Sequence, residues 1–207
     1  MTVVKIRTNL PLAAGQKVGL LGGSFDPPHQ GHVHISKVAR KKFGLDKVIW
    51  LVSPGNPLKA HPPAPIAERL KASRKILGQG PQYGASDIEL LLGTRFTAET
   101  LGEISNAYPE VSFVWLMGAD NLAQFHKWEN WKQIAQTVPI GVIARPEQRV
   151  AARHSVAANV LRRAQIPERA SHGLGRAEAP AWCFVNCPMV NLSSTQLRAA
   201  AAKKREL

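Results

Sequence analysis

The stretch Val18-Gly-Leu-Leu-Gly-Gly-Ser-Phe-Asp-Pro-Pro-His-Gln-Gly-His32 decides the fold class of this chain. Its first four residues form a short apolar run, which reads as a buried strand, and Gly22-Gly23 ends that run. Beyond His32 the apolar residues Ile35, Val38, Ala39 and Phe43 recur at helical spacing, with Lys37, Arg40, Lys41 and Lys42 on the other faces. A buried strand that turns through glycines straight into an amphipathic helix is the opening of a βαβ unit.

The remainder of the chain repeats the alternation. Further strands are expected at residues 48–52, 83–86, 111–117, 138–143 and 182–185. Helices are expected at 64–77, 97–108, 121–136 with a break near Glu129, and 194–204. This order predicts an α/β fold, a Rossmann-like, doubly wound, mostly parallel sheet with helices on both faces. The 207 residues fit one domain, in which 1–16 form an N-terminal extension and 145–180 a basic helix and loop.

Composition narrows the partners without choosing among them. Lys and Arg number 27 against 14 Asp and Glu, a formal net charge of +13, which calls for an anionic partner. Nucleic acid, a membrane surface and small phosphorylated ligands all fit that charge. An apolar fraction of 44% excludes disorder for the bulk of the chain. The longest apolar stretch, Phe113 to Met117, is far short of the roughly 20 residues that span a bilayer. Charges interrupt the first residues, so no secretory signal is expected. Cys183 and Cys187, on one face of an extended segment, would lie about 13 Å apart, too far for a disulfide. Two cysteines are also too few for structural zinc, and a reducing cytoplasm follows as the expected location. Residues 145–176 carry seven arginines against Glu147 and Glu168. They are read as one basic helix near 150–164 with a solvated face, then a glycine-containing loop.

In open parallel sheets ligands bind beyond the carboxyl ends of the strands, which draws attention to residues 22–32. Gly22 and Gly23 allow backbone amides to approach a ligand, and the helix start supplies a positive potential for phosphate. His29 and His32, three apart at that terminus, can converge on one anion. Neither the Walker pattern nor the dinucleotide G-x-G-x-x-G is present. The bland alternative is a Gly-Pro turn with two capping histidines. A metal site formed by His29, His32 and His34 is disfavoured, since His34 falls on a different helix face and no carboxylate follows at ligand spacing.

Gly23-Ser-Phe-Asp-Pro-Pro-His-Gln-Gly-His32 resembles the G-x-F-D-P-x-H-x-G-H signature of the nucleotidyltransferase superfamily. That family's second motif, I-S-S-T-x-x-R, is matched by Leu192-Ser-Ser-Thr-Gln-Leu-Arg198. Ser86-Asp-Ile-Glu89 with Arg95-Phe-Thr-Ala-Glu-Thr-Leu101, and Met117-Gly-Ala-Asp-Asn-Leu122 with Phe125-His-Lys-Trp128, are similar to motifs of the bacterial nicotinate-nucleotide adenylyltransferases. The resemblance spans Lys17 to Ala200. It departs at Pro54-Gly-Asn-Pro-Leu-Lys59, about two residues shorter than the family's loop, and at Phe96, where a tyrosine is common.

The resemblance implies adenylyl transfer from ATP to nicotinate mononucleotide, giving nicotinate adenine dinucleotide and pyrophosphate, in NAD biosynthesis. It assigns catalysis to His29, His32 and Arg198. ATP would meet these three together with Gly22, Gly23, Ser24, Phe25, Gly118, Asp120, Ser193, Ser194 and Thr195. Nicotinate mononucleotide would meet Asn56, Lys59, Thr97 and Trp128, with His61 as the alternative to Lys59 at its phosphate. Mg²⁺ would be bound mainly through ATP, with no metal ligand assigned to the protein. Plain roles compete at three places: helix capping for Ser193-Ser194 and for Asp120, and core packing for Trp128. The same chemistry on nicotinamide mononucleotide or phosphopantetheine is the rival enzyme reading. A basic nucleic-acid-binding protein is the remote one, weakened by the absence of a recognition motif and by only two tyrosines for base stacking. The expected partners are the two small molecules, without nucleic acid or membrane; oligomeric state is unassigned.

Overall fold

A computed structural model describes residues 10–55, 63–144 and 149–187. Its strands are β1 (Lys17–Gly23), β2 (Lys47–Val52), β3 (Tyr83–Ser86), β4 (Ser112–Gly118), β5 (Ile140–Ala144), β6 (Gln165–Ile166) and β7 (Trp182–Asn186). They form one sheet in the order β3-β2-β1-β4-β5-β7-β6, and every described pair is parallel. The helices are α1 (Gln30–Lys42), α2 (Ile66–Leu77), α3 (Ile88–Leu92), α4 (Thr97–Ala107), α5 (Ala119–Gln124), α6 (Trp131–Thr137), α7 (Arg149–Arg153) and α8 (Val156–Val160). The doubly wound α/β class expected from the sequence is the observed one. No helix of the described residues is long and apolar enough to cross a membrane.

The central strands are apolar on both faces because both faces are covered. Leu20, Ile49, Trp115 and Val142 pack on one side with Leu101, Ile104 and Ile134. Leu21, Trp50, Leu116 and Ile143 pack on the other with Ala39, Phe43 and Leu70. Each fully buried side chain of this size contributes about 1.5–3 kcal/mol, so the two layers carry most of the stability. From β1 the chain winds outward through β2 to β3, and from β4 it winds the opposite way. The reversal lies between β1 and β4, and this is the switch point where a ligand crevice opens.

Several boundaries differ from the sequence reading, each for a local reason. Gly22 and Gly23 do not follow β1 but are its last two residues, paired opposite Leu51 and Val52. The helix expected from residue 64 starts at Ile66, with Pro65 in extended backbone as its cap. The 121–136 helix is three pieces, α5, a 3-10 turn Phe125–Lys127 and α6, and the left-handed Asn130 (φ 52°) separates the last two. The single basic helix is also corrected. Ser155 accepts from the Ala158 amide at 3.2 Å and starts α8 afresh after α7. The expected glycine loop is β6 followed by a 3-10 segment, Glu168–Arg176. That segment is packed: the Gly175 amide donates to Phe43 O at 3.0 Å, and Asn186 Nδ2 donates to the Glu168 carboxylate at 2.8 Å. Arg153, Arg162, Arg163, Arg169 and Arg176 are nonetheless exposed, as a solvated face requires.

Residues 10–16 are stitched to the body. Tyr108 Oη donates to Leu10 O at 2.9 Å and Lys47 Nζ to Pro11 O at 2.8 Å. The helix expected at 194–204 lies outside the described residues.

Candidate active site

The loop from β1 to α1 is anchored from below before it reaches the histidines. Phe25 has a positive φ of 47°, uncommon for a bulky side chain. Its ring is 2% exposed and lies flat on Trp50, with centroids 4.6 Å apart and planes 2° apart. The same ring meets His32 edge-on at 5.0 Å. Phe25 therefore holds the loop through the core, and any contact with ATP would be made by its backbone. Trp50 Nε1 donates to Ser36 Oγ at 2.7 Å, and Ser36 Oγ donates to His32 O at 2.9 Å, which fixes the first turn of α1.

His29 caps α1, and the two histidines interlock. The Gly31 amide donates to His29 Nδ1 at 3.1 Å, and the His29 amide donates to His32 Nδ1 at 3.2 Å. Both Nδ1 atoms are thus acceptors, so each neutral ring carries its proton on Nε2. The ring centroids lie 3.7 Å apart at 32°. The result is a pair of N–H donors at a helix N-terminus, an arrangement that suits a phosphate. His34 points elsewhere: its Nε2 lies 2.9 Å from Cys187 Sγ. Burial pushes the Cys187 thiol up from its usual pKa, and takes Cys183 to about 11. Neither cysteine forms a disulfide.

Gly22, at the end of β1, faces an indole. A β-carbon there would collide with Trp115. The glycine at this position is thereby required by packing, whatever its backbone approaches. Trp115 meets Trp128 edge-to-face at 6.4 Å, and Phe125 meets Trp128 likewise at 5.5 Å. Trp128 is partly buried, follows the 3-10 turn in extended backbone, and sits beside the end of β1 through Trp115. Across the switch point, Gly118 ends β4 and caps α5. Asp120 is exposed and its carboxylate lies against Gly118. Helix capping as a role for Asp120 is thus corrected, since Gly118 is the cap and Asp120 the second residue of the first turn.

Thr97 opens α4, and the Glu99 side chain turns back ahead of it, accepting from the Arg95 amide at 3.1 Å and the Phe96 amide at 3.2 Å. Burial raises the pKa of Glu89, on α3 within the same sequence motif, to about 7.

The structure brings Gly22, Gly23, Ser24, Phe25, His29 and His32 to the end of β1, and places Gly118 and Asp120 at the end of the adjoining β4. Asn56, Lys59, His61, Ser193, Ser194, Thr195 and Arg198 lie outside the described residues. Arg69 is a site residue that the sequence reading missed. It is 3% exposed on α2, and it donates to Ser24 O at 2.7 Å and Ser53 O at 2.8 Å. Burial lowers its pKa, while the Asp26 carboxylate acts in the opposite direction. The available signal was an arginine inside the stripe Ile66, Leu70, Ser73, Leu77, where a core residue belongs.

A parallel sheet whose switch point carries a capping His-x-Gly-His turn defines a nucleotidyltransferase of the cytidylyltransferase-like class, and that family's model matches residues 20–200. A probable nicotinate-nucleotide adenylyltransferase of Ruegeria pomeroyi is 58% identical over 94% of this chain and 92% of its own length. One from Roseobacter denitrificans is 59% identical over 93% and 97%, and one from Brucella abortus 44% over 90% and 96%. The chain belongs to the nicotinate-nucleotide adenylyltransferase family. Among solved structures, the Plasmodium falciparum nicotinic acid mononucleotide adenylyltransferase in complex with NaAD has the same fold. Its TM-score is 0.66 at 15% identity, over 89% of this chain and 83% of that one.

Proposed function

We infer that this protein transfers the adenylyl group of ATP to nicotinate mononucleotide, releasing pyrophosphate and forming nicotinate adenine dinucleotide, as a step of NAD biosynthesis. The relatives, up to 59% identical over nearly their whole length, carry that assignment to this chain. The paired Nε2–H donors of His29 and His32 supply the site with a chemistry that suits it.

The attacking atom is a phosphate oxygen already ionised at neutral pH, so no general base is called for. What remains is to align the two phosphates and to stabilise charge on the α-phosphate and the leaving pyrophosphate. His29 and His32 are assigned that stabilisation, with Ser194 and Arg198. Ser24 and the backbone of Gly22 and Gly23 would lie against the phosphates, Gly118 and Asp120 against the nucleoside, and Ser193 and Thr195 at the second phosphate motif. Trp128, met only edge-on by its described aromatic neighbours, is assigned to stack on the nicotinate ring. Thr97 is assigned to its carboxylate, Lys59 or in its place His61 to the acceptor phosphate, and Asn56 to the mononucleotide. Mg²⁺, held mainly by ATP, would supply positive charge against the triphosphate. A cytoplasmic location is proposed on two cysteines that form no disulfide.

The test is pyrophosphate release from ATP and Mg²⁺ with nicotinate mononucleotide, nicotinamide mononucleotide or phosphopantetheine as the acceptor. Turnover with the first at least about tenfold above the other two is expected. Equal or greater turnover with either of the others would replace the acceptor named above.

A further inference from the structure

Arg69 joins three segments that are separate in sequence. Its Nη1 donates to Ser24 O at 2.7 Å and Ser53 O at 2.8 Å, its Nη2 to Pro54 O at 3.2 Å and its Nε to Ala64 O at 2.6 Å. Ser24 belongs to the loop that carries His29. Ser53 and Pro54 leave β2, and Ala64 leads into α2, so one guanidinium holds both ends of the β2–α2 connection. A charged group at 3% exposure is costly to bury, and an apolar residue of similar volume would fill the space without that cost. What the guanidinium adds is direction: a rigid planar fork of donors that a lysine ammonium does not reproduce.

We propose that Arg69 is a positioning residue for adenylyl transfer, setting the loop that bears the histidines against the loop that follows β2. It touches neither substrate. It fixes the spacing between Ser24, in the loop assigned to the ATP phosphates, and Ser53 and Pro54 at the end of β2. The proposal rests on the adenylyl-transfer reading.

The experiment compares wild type with Arg69→Met, Arg69→Lys and Arg69→Ala at a temperature where near-ultraviolet circular dichroism shows each to be folded. In Arg69→Met, kcat should fall about ten- to hundredfold, the scale of a small misplacement of reacting groups, while the KM for ATP stays within about threefold. Arg69→Lys should recover little of this. Added guanidinium ion, but not ammonium at equal ionic strength, should raise the kcat of Arg69→Ala. A kcat for Arg69→Met within twofold of wild type would overturn the proposal, as would full recovery by Arg69→Lys. So would a loss that only follows the folded fraction. If Arg69→Met does not fold, Arg69→Lys and rescue of Arg69→Ala decide the matter. Wild-type turnover in the same assay reports separately on the reaction itself.

Discussion

The indole of Trp115 fills the space that a β-carbon on Gly22 would need. Gly22 lies in β1 and Trp115 in β4, the two strands that meet at the switch point, and Trp115 in turn supports Trp128. A packing contact in the sheet is thereby also the support of the residue assigned to the pyridine ring.

Gly22→Ala should displace the Trp115 ring, which is 2% exposed and has little room to move. Overpacking of this kind costs about 1–3 kcal/mol, and urea unfolding would measure it. The KM for nicotinate mononucleotide should rise more than the KM for ATP, because the disturbance reaches Trp128. An unchanged midpoint and unchanged KM values would remove Trp115 from this role.

His29 and His32 separate structure from chemistry. His32→Ala should lower turnover by about two decades, the loss of one transition-state donor, with the fold retained. His29→Ala should lose turnover and also about 1 kcal/mol of stability, since it removes the helix cap. His29→Asn keeps a capping side chain and should recover the stability without the turnover. Full activity in His29→Asn would reduce His29 to a cap.

Glu89 makes stability depend on pH in a definite direction. Its pKa is raised by burial from 4.5 to about 7. Between those values the unfolded chain has lost a proton that the fold retains, so this group's contribution falls as pH rises through that window. It is complete below the lower value and constant above the upper one. Glu89→Gln should therefore gain on wild type as pH rises, by about 1–2 kcal/mol between pH 5 and 8, allowing for its partial access to solvent. Denaturant midpoints across that range would test it, and parallel curves for the two proteins would contradict the assignment.

Much of the fold was legible because apolar runs of four or five residues, such as Val48–Val52 and Phe113–Met117, can bury both faces only in a covered parallel sheet. Tyr83–Ser86 was recovered to the residue. The basic segment was misread because arginine count describes solvent-facing positions, whereas Ser155 decides where the helix restarts and Leu174 and Gly175 decide what packs. The convergence of His29 and His32 at the start of α1 was readable from their spacing. Arg69 was not, since its value lies in carbonyl groups of two distant segments and of Ala64, and backbone acceptors leave no mark in a side-chain pattern. Gly22 shows the same limit: a glycine in a motif invites a ligand, and only the position of Trp115 reveals the packing demand.

The ends of the sheet have a consequence for the protein in crowded solution. Among the described residues the two outermost strands are also short, β3 with four residues and β6 with two, whereas the long apolar strands β1, β2 and β4 are paired along both edges. Unpaired strand edges are where one chain recruits another into aggregates, and short ones give a foreign strand little to grip. The winding order that opens a crevice at β1 and β4 thus also keeps the stickiest backbone in the interior, so that the folded enzyme offers little template for misassembly.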